Sequence, residues 1–382
     1  MSELARSDTS VFAEWRRTVD WPSLTACAIL LGLGLLLSLA AGPAAAAKLN
    51  IDNAFYYPIR HAFFVVVAGS IVLLFSGLSV DWARRVGIGI FLLGFLIMCV
   101  VFLTGHEAKG SQRWIILAGQ TFQPSEIAKP GLVVLAAWIL SQRDSDPTTR
   151  WLWIAFGFYC ATVGLLLLQP DIGQTILLSA AFLATFFVAG LPVRWALGFL
   201  AGGTVMGTLV YSTIPYVRGR INSFLWPDDN DTYQVDLAMD AIERGGMWGV
   251  GPGEGAIKTT LPDAHTDFIY AVAVEEYGFI AALILIGLIA FIALRGLQLA
   301  MQGETLFRRA AATGLFTLFG LQAVINIGVN TSLLPPKGMT LPFVSYGGSS
   351  MIGIAVTIGL AHAIIRRHRV NTNRWRTAHG AA

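Results

Sequence analysis

An acid at the start of an apolar run is the best candidate in this sequence for proton transfer. Asp267 ends the segment 261–267, Leu-Pro-Asp-Ala-His-Thr-Asp, and a long apolar stretch follows it directly. An acid at such a boundary is partly desolvated, which raises its pKa and suits it to accept a proton from a hydroxyl group. The alternative is a helix cap, because Asp263, Thr266 and Asp267 all favour helix starts. The residues alone support these two interpretations about equally.

Two more polar groups lie within apolar segments. Glu275 and Glu276 follow eight and nine residues after that acid, and carboxylates at membrane depth are functional or paired. We expect structural pairing for both. Gln322, Asn326 and Asn330 recur every fourth residue and therefore share one helix face. We expect them to form interhelical hydrogen bonds, with the lining of a polar groove as the alternative.

A group of cations and one acid precedes another apolar run. Arg113 and Trp114 are followed by the segment 123–129, Gln-Pro-Ser-Glu-Ile-Ala-Lys. Glu126 and Lys129 are one helical turn apart in this segment and can form an ion pair. A membrane-surface anchor with a local ion pair explains part of this pattern. The accumulation of cations would also suit a diphosphate group.

Three further segments are rich in Gly and Pro. Asp171 lies in the tight turn Gln-Pro-Asp-Ile-Gly, and the segment 334–350, which includes Lys337 and Ser345, interrupts helix formation repeatedly. Irregular backbone at membrane depth is tolerated only against protein or a wet cavity, so we expect a cavity there. The run 249–255, Gly-Val-Gly-Pro-Gly-Glu-Gly, could form an anion-binding nest, but we interpret it as a turn because it lacks a nucleotide loop's strand, helix and Lys.

The composition places most of the chain in lipid. The sequence has 382 residues, of which 55% are hydrophobic and 13% are charged, and its mean hydropathy is +0.64. This is too apolar for a water-soluble globule of this length. The net charge of +3 is distributed over single residues and pairs, without the dense basic stripe that neutralises a nucleic-acid backbone. We therefore predict a membrane protein and exclude nucleic acid as a partner.

Ten segments approach or exceed the roughly 20 apolar residues that a transmembrane helix requires. They lie at 22–45, 58–79, 84–104, 126–141, 151–168, 173–190, 193–213, 266–294, 310–333 and 343–365. The sequence thus predicts an all-α polytopic membrane protein of about ten transmembrane helices, with one membrane domain at 22–366. Residues 1–21 and 367–382 are expected to be cytoplasmic. Residues 214–265 are expected to form a large extracytoplasmic loop between spans 7 and 8.

The basic residues determine the predicted orientation. An even number of spans puts both termini on the same side of the membrane. With the termini inside, the inner segments contain sixteen of the 26 Lys and Arg residues and the outer segments contain ten. This bias favours cytoplasmic termini. Asp267 and the long connections then lie outside, and connections above about 15 residues are usually functional or disordered, so we expect function at the outer face.

Six separated motifs resemble those of the SEDS family of bacterial shape, elongation, division and sporulation proteins. They are Arg113-Trp114, Gln123 to Lys129, Gln169 to Gly173, Tyr233-Gln234, Leu261 to Phe268 with Glu275-Glu276, and Leu334 to Ser350. The resemblance covers nearly the whole chain, and the last motif is more similar to the division members than to the elongation members. It implies a peptidoglycan glycosyltransferase that polymerises lipid II outside the cytoplasmic membrane during septal wall synthesis, with undecaprenyl diphosphate as the leaving group.

The resemblance also implies roles for residues and partners. Asp267, in the motif His-Thr-Asp-Phe, becomes the expected catalytic general base. The residues expected to bind substrate are Arg113, Trp114, Glu126, Lys129, Asp171, His265, Lys337 and Ser345. A divalent cation, Mg²⁺ or Mn²⁺, is expected as a cofactor. The expected partners are a class B penicillin-binding protein that acts as the septal transpeptidase and other membrane proteins of the divisome.

Two other functions fit many of the same residues. A lipid II flippase would also use a polar groove among ten spans. It would need polar residues that continue to the inner side, where the short hairpins offer little besides arginines. A non-enzymatic division scaffold would need the membrane helices but not the acid at position 267.

Overall fold

The chain folds into a bundle of apolar helices with one small sheet. The computed structural model describes residues 10–104, 106–108, 111–117, 120–191, 193–213, 217–219, 222, 226, 233–335 and 338–366. The main helices are α1 (Val11–Thr18), α2 (Trp21–Lys48), α3 (Tyr56–Ser76), α4 (Val80–Thr104), α5 (Pro124–Ser141), α6 (Trp151–Leu168), α7 (Ile172–Val188), α8 (Val193–Thr213), α9 (Tyr233–Gly245), α10 (Ile269–Met301), α11 (Leu306–Asn330) and α12 (Gly348–Ile365). The strands are β1 (His106–Ala108), β2 (Ser111–Leu117) and β3 (Gln120–Phe122).

Each of the ten predicted spans coincides with one helix, α2 to α8 and α10 to α12, with ends that differ by seven residues or fewer. Seven of these helices are long and apolar enough to cross a membrane by length and composition: α2, α3, α4, α6, α10, α11 and α12. Helix α7 and the apolar part of α8 are shorter. The predicted cytoplasmic tail, 367–382, and the first nine residues lie outside the described residues.

The all-α prediction is wrong in one segment. The connection 105–123 contains a three-stranded antiparallel sheet in the order β1-β2-β3. Strand β2 has the sequence Ser-Gln-Arg-Trp-Ile-Ile-Leu, in which Trp114, Ile115 and Ile116 are of the aromatic and β-branched types that favour strands. Ile115 pairs with Phe122 across the β2–β3 hairpin. The sheet connects α4 to α5 and carries two of the predicted substrate-binding residues, Arg113 and Trp114, on β2.

Helices α5, α11 and α12 form the centre of the bundle. In α12, 83% of the residues are buried, against 22% in the most apolar part of α3. Lipid is as apolar as a leucine side chain, so helices in a membrane associate through close packing at small residues. Gly353 of α12 is one such position, since a Cβ there would lie 2.5 Å from the backbone oxygen of Glu126 on α5.

Helix α10 is broken near its first third. Gly278 has φ 75° and ψ −175°, and a Cβ at this position would lie 2.3 Å from the backbone oxygen of Met247, so glycine is required. The break leaves the backbone oxygen of Glu275 without its helical donor, and the N–H of Val250 donates to it at 2.9 Å. The connection between α9 and α10 is therefore hydrogen-bonded into the helix rather than lying loosely over it.

Hydrogen bonds between helix ends define two ends of the bundle. At one end, Arg295 near the end of α10 forms an ion pair with Asp20 before α2, at 2.6 Å. At the same end Arg308 of α11 donates to the backbone oxygen of Ile364 on α12, at 2.8 Å. We call this the arginine end, because the following arginines lie there: Arg84, Arg85, Arg143, Arg150, Arg194, Arg295, Arg308, Arg309 and Arg366. The opposite end contains Asp267 and is called the Asp267 end.

Candidate active site

Asp267 lies in a turn just before α10, rather than on the helix as the predicted span 266–294 implied. The N-cap of α10 is Phe268, and it makes no side-chain cap hydrogen bond within the described residues. The backbone N–H of Asp267 donates to the oxygen of Asp263 at 3.1 Å. The helix thus starts two residues after Asp267, so Asp267 does not occupy the N-cap position.

Two buried asparagines of α11 hold the backbone of Asp267. The side-chain amides of Asn326 and Asn330 donate to the backbone oxygen of Asp267, at 2.8 and 2.9 Å. Asn330 also accepts a hydrogen bond from the N–H of Ala271, at 3.2 Å, in the first turn of α10. Gln322, one helical turn before Asn326, donates to the backbone oxygen of Thr340 at 3.2 Å. The prediction of interhelical hydrogen bonds for this polar stripe is confirmed.

The irregular segment between α11 and α12 lies against the Asp267 side chain. A Cβ at Gly338 would be 3.3 Å from Oδ2 of Asp267, so the carboxylate lies close to this backbone. Asn326 donates to the backbone oxygen of Met339 at 2.6 Å. Ser345 is buried, and its Oγ accepts from the N–H of Leu341 at 2.7 Å. The irregular backbone is thus stabilised by side chains, as membrane depth requires. Lys337, which is expected to bind substrate, lies outside the described residues.

A group of aromatic and histidine rings lies next to the Asp267 turn. The backbone N–H of Tyr346 donates to the oxygen of His265 at 3.0 Å. The ring centroid of His265 is 4.3 Å from that of Tyr57 and 5.5 Å from that of Tyr346. Burial lowers the pKa of His265 to about 4, so its ring is neutral at pH 7. His265 therefore offers hydrogen-bonding groups near Asp267 without adding charge.

The sequence interpretation missed His61 of α3, which belongs to the same group. Its ring lies 6.2 Å from that of Tyr346. Both ring nitrogens are buried and have no hydrogen-bond partner among the described residues. A titratable side chain within an apolar span was the available signal, because such residues are functional by default.

The predicted ion pair between Glu126 and Lys129 is confirmed and belongs to a larger network. Lys129 Nζ lies 3.0 Å from Glu126 Oε2. Gln174 of α7 lies beside both residues, donating to Glu126 Oε1 at 2.6 Å and accepting from Lys129. All three side chains are buried. The charges of this pair therefore compensate each other, and the expected contact of Lys129 with substrate stays a prediction.

A second polar network joins the sheet to the start of α7. Asp171 Oδ2 accepts a hydrogen bond from Gln123 Nε2 at 2.7 Å and lies 3.4 Å from Arg113 Nη1. Its other carboxylate oxygen caps α7, accepting from the N–H of Gln174 at 3.4 Å. Trp114 is partly buried on β2, opposite His106. The structure thus brings Arg113 and Asp171 together at the Asp267 end.

The predicted site residues form two groups, and both groups contact the first turns of α12. Ser350 Oγ lies 2.5 Å from Thr340 Oγ1 in the irregular segment beside Asp267. Three residues later, Gly353 packs against the backbone of Glu126. Asp267, His265 and Ser345 belong to the first group. The second group contains Arg113, Glu126, Lys129 and Asp171.

Glu275 and Glu276 are paired inside the protein, as expected. Glu276 forms a buried ion pair with Lys258 and accepts from the N–H of Gly253 at 3.0 Å. Glu275 accepts from the N–H of Ala256 at 2.9 Å. The glycine-rich run 249–255 is a turn, and its end serves as a nest for carboxylates of the chain itself. These acids anchor the connection to α10 and do not belong to the candidate active site.

The described residues contain no group of three or more His, Cys, Asp or Glu side chains that could hold a divalent cation. Mg²⁺ is commonly bound through one or two carboxylates together with substrate phosphates. Asp267 supplies a single carboxylate beside the irregular segment, so an ion bound there would take most of its oxygen ligands from a substrate.

The fold and the polar Asp267 end define a multi-pass membrane protein with its candidate site at one end of the helix bundle. The chain belongs to the FtsW/RodA/SpoVE family of cell cycle proteins, whose sequence pattern matches residues 22–370. The family resemblance that the six sequence motifs indicated is therefore confirmed.

Curated relatives cover nearly the whole chain. A probable peptidoglycan glycosyltransferase FtsW from Caulobacter vibrioides is 45% identical over 365 residues, which cover 95% of this chain and 93% of the relative. The protein of the same name from Pseudomonas fluorescens is 36% identical over 360 residues, 90% of this chain and 86% of the relative.

Solved structures have the same fold. A chain of a peptidoglycan synthase complex that coordinates polymerization and crosslinking aligns with a TM-score of 0.76 and 28% identity, covering 91% of this chain and 97% of that chain. The rod shape determining protein RodA of Thermus thermophilus aligns with a TM-score of 0.68 and 26% identity, covering 92% of this chain and 98% of RodA.

Proposed function

We propose that this chain is a peptidoglycan glycosyltransferase that polymerises lipid II into glycan strands during septal wall synthesis. The observation that carries the proposal is the position of Asp267, whose backbone is fixed by Asn326 and Asn330 and whose carboxylate lies against the irregular segment at Gly338. The names of the curated relatives support the same activity.

The proposed chemical step is one glycosyl transfer. Asp267 accepts the proton of the GlcNAc 4-hydroxyl of the acceptor lipid II as that oxygen attacks C1 of the donor sugar. The bond between C1 and the diphosphate oxygen breaks, and undecaprenyl diphosphate leaves with the bonding electrons. A positioned general base contributes about 10²–10⁴-fold to such a step, and its position must be accurate because misplacement by about 1 Å can cost 10²-fold. The two asparagines would provide that accuracy.

The proposed topology has ten spans, with both termini in the cytoplasm and Asp267 outside. Positively charged residues near span ends favour the cytoplasmic side, and the nine arginines named above lie at the arginine end. Near one terminus of the described chain, Trp15 of α1 donates to Ser76 Oγ at 3.0 Å, and near the other, Arg366 donates to the backbone oxygen of Leu78 at 3.2 Å. Both contacts are to the end of α3 or to the connection that follows it, which supports placing both termini at the arginine end. Residues 214–265 would then form the large periplasmic loop. The protein would lie in the bacterial cytoplasmic membrane, at the division septum.

The partners and the cofactor belong to the same proposal. A class B penicillin-binding protein would crosslink the strands that this chain polymerises, as the similarity to a chain of a peptidoglycan synthase complex supports. Other divisome membrane proteins would bring the pair to the septum. A divalent cation, Mg²⁺ or Mn²⁺, would neutralise the leaving diphosphate.

Polymerisation of purified lipid II tests the proposal against a flippase. The purified protein with its cognate transpeptidase should convert fluorescent lipid II into glycan strands that are resolved on a gel. A flippase would produce no polymer and would move labelled lipid II across the membrane of liposomes. Translocation without polymer would contradict the proposed function.

Growth complementation tests the proposed glycosyltransferase function against that of a non-enzymatic scaffold. A chain that carries Asp267→Asn should reach the membrane at the wild-type level and should fail to support division. Full complementation by this variant would favour the scaffold, because a scaffold needs the fold and not the base.

A further inference from the structure

A cavity of about 360 Å³ lies at the arginine end of the bundle, opposite the end that contains Asp267. It is bordered by the connection between α5 and α6 and by the connection between α7 and α8. Its charged and aromatic lining consists of Arg143, Arg150, Arg194, Trp151, Trp153 and Trp195. A volume of this size lies in the range of small-molecule sites. The proposed glycosyl transfer uses none of these residues.

The lining is strongly basic. Arg150 is the N-cap of α6, and Arg194 is the second residue of α8. In the described part of the chain, none of the three lining arginines lies within 4.0 Å of a carboxylate. Of the two acids in the connection between α5 and α6, Asp146 is hydrogen-bonded to the hydroxyls of Thr148 and Thr149 instead, and the side chain of Asp144 lies outside the described part of the structure. The cavity therefore has positive charge available for an anionic ligand.

The aromatic lining points to a ligand at a membrane surface. Trp153 and Trp195 contact each other edge to face, with ring centroids 5.6 Å apart. Tryptophan is enriched at the level of lipid headgroups. Further from this end, α6 and α8 expose apolar side chains, including Ile154 on α6 and Leu197 on α8. A ligand with an anionic head and acyl chains would match both features, whereas an acidic peptide would match only the arginines.

We propose that this cavity binds the phosphate headgroup of an anionic phospholipid, with the acyl chains lying along α6 and α8. Basic pockets between transmembrane helices are known to bind anionic lipid headgroups, and each Lys or Arg near the surface contributes about 1 kcal/mol. The cavity would fix the arginine end of α6 and α8 relative to the leaflet. This inference is independent of the proposed glycosyltransferase activity.

Native mass spectrometry of the full-length protein tests this proposal. Wild-type protein in detergent is titrated with dioleoyl phosphatidylglycerol, and in a parallel titration with dioleoyl phosphatidylcholine. The variant is Arg150→Gln/Arg194→Gln. The matched control is Arg84→Gln/Arg85→Gln, which removes the same charge from the same end outside the cavity.

We expect the dissociation constant for phosphatidylglycerol to rise about thirtyfold in the cavity variant, which corresponds to about 2 kcal/mol at 1.4 kcal/mol per tenfold. The control should stay within about threefold of wild type. Equal binding of the two lipids by wild type, or equal losses in the variant and the control, would overturn the proposal. Displacement of the lipid by millimolar inorganic phosphate would also overturn it, because the site would then recognise free phosphate.

Two further measurements keep the test valid if the double variant folds poorly. Raising the salt concentration should weaken the binding of phosphatidylglycerol to wild type, because salt screens partly exposed charges. The charge-conserving variant Arg150→Lys/Arg194→Lys should retain binding within about threefold. Salt-independent binding by wild type would contradict an electrostatic headgroup site.

Discussion

Replacing Asn330 with alanine should impair catalysis by releasing the backbone of Asp267. The variant loses a buried hydrogen bond to the backbone oxygen of Asp267, at 2.9 Å, and leaves the N–H of Ala271 without its acceptor. A lost buried hydrogen bond costs about 0.5–1.5 kcal/mol, and an unsatisfied buried donor about 1–3 kcal/mol. Asn326 still donates to the same oxygen at 2.8 Å, so the turn should be loosened rather than unfolded.

If about 1.4–2.8 kcal/mol of this loss appears in the transition state, turnover falls about 10- to 100-fold. The assay is the initial rate of lipid II polymerisation at saturating substrate, with binding of lipid II measured separately. We expect turnover to fall while binding stays within about threefold, because Asn330 positions the base and is not expected to contact the substrate.

The control is Asn53→Ala at the same end. Asn53 is exposed and accepts a hydrogen bond from the N–H of Phe55 at 2.9 Å, within its own connection. The Asn53→Ala variant should leave the turnover of lipid II unchanged. If well-folded Asn330→Ala protein polymerised lipid II within twofold of the wild-type rate, the proposed positioning of Asp267 would be refuted.

Three other predictions concern protonation, buried charge and metal. Burial lowers the pKa of His265 to about 4 from its ordinary 6.5, so unfolding takes up a proton between these pH values and the stability of the fold decreases as the pH drops through that window. The thermal midpoint of the His265→Asn variant should therefore fall less between pH 7 and pH 5 than that of wild type. An equal fall in both proteins would contradict this prediction. Lys129→Met should lower the thermal midpoint markedly, because removing one partner of a buried ion pair costs about 3–5 kcal/mol. The double variant Glu126→Gln/Lys129→Met should recover most of the lost stability. A Lys129→Met protein as stable as wild type would count against a buried pair. EDTA should stop polymerisation, and Mn²⁺ should restore it. Binding of Mn²⁺, measured by electron paramagnetic resonance, should require lipid II, because the described residues contain no group of side chains that could hold a metal ion alone. Tight binding of Mn²⁺ without lipid II would contradict this prediction.

The positions of the ten apolar helices, α2 to α8 and α10 to α12, could be predicted because each depends on a local property, the length of an apolar run. The pairing of Glu126 with Lys129 was predictable for the same reason, since the two residues are one turn apart on α5. The three-stranded sheet was not predictable in this way, because two of its strands have three residues each and carry too little pattern to distinguish them from a loop.

Contacts between distant parts of the chain were beyond local patterns. The sequence identified Asn330 as part of a polar stripe and Asp267 as a candidate base, but the two residues are 63 positions apart. Gln174 completes the network of Lys129 from 45 positions away. His61 approaches Tyr346 in the same manner. Such pairs arise from the packing order of the helices, which apolar run lengths do not encode.

The central claim is that the carboxylate of Asp267 takes the proton from the acceptor sugar, and one comparison tests it most directly. Asp263→Asn is the matched variant, since it lies in the same turn and asparagine tolerates the positive φ of 51° at that position. The measurement is the rate of lipid II polymerisation by folded Asp267→Asn and Asp263→Asn proteins at equal lipid II occupancy. We predict that the Asp263→Asn protein forms glycan strands at a rate near that of wild type and that the Asp267→Asn protein forms none. Glycan strands formed by Asp267→Asn at a comparable rate would contradict the account.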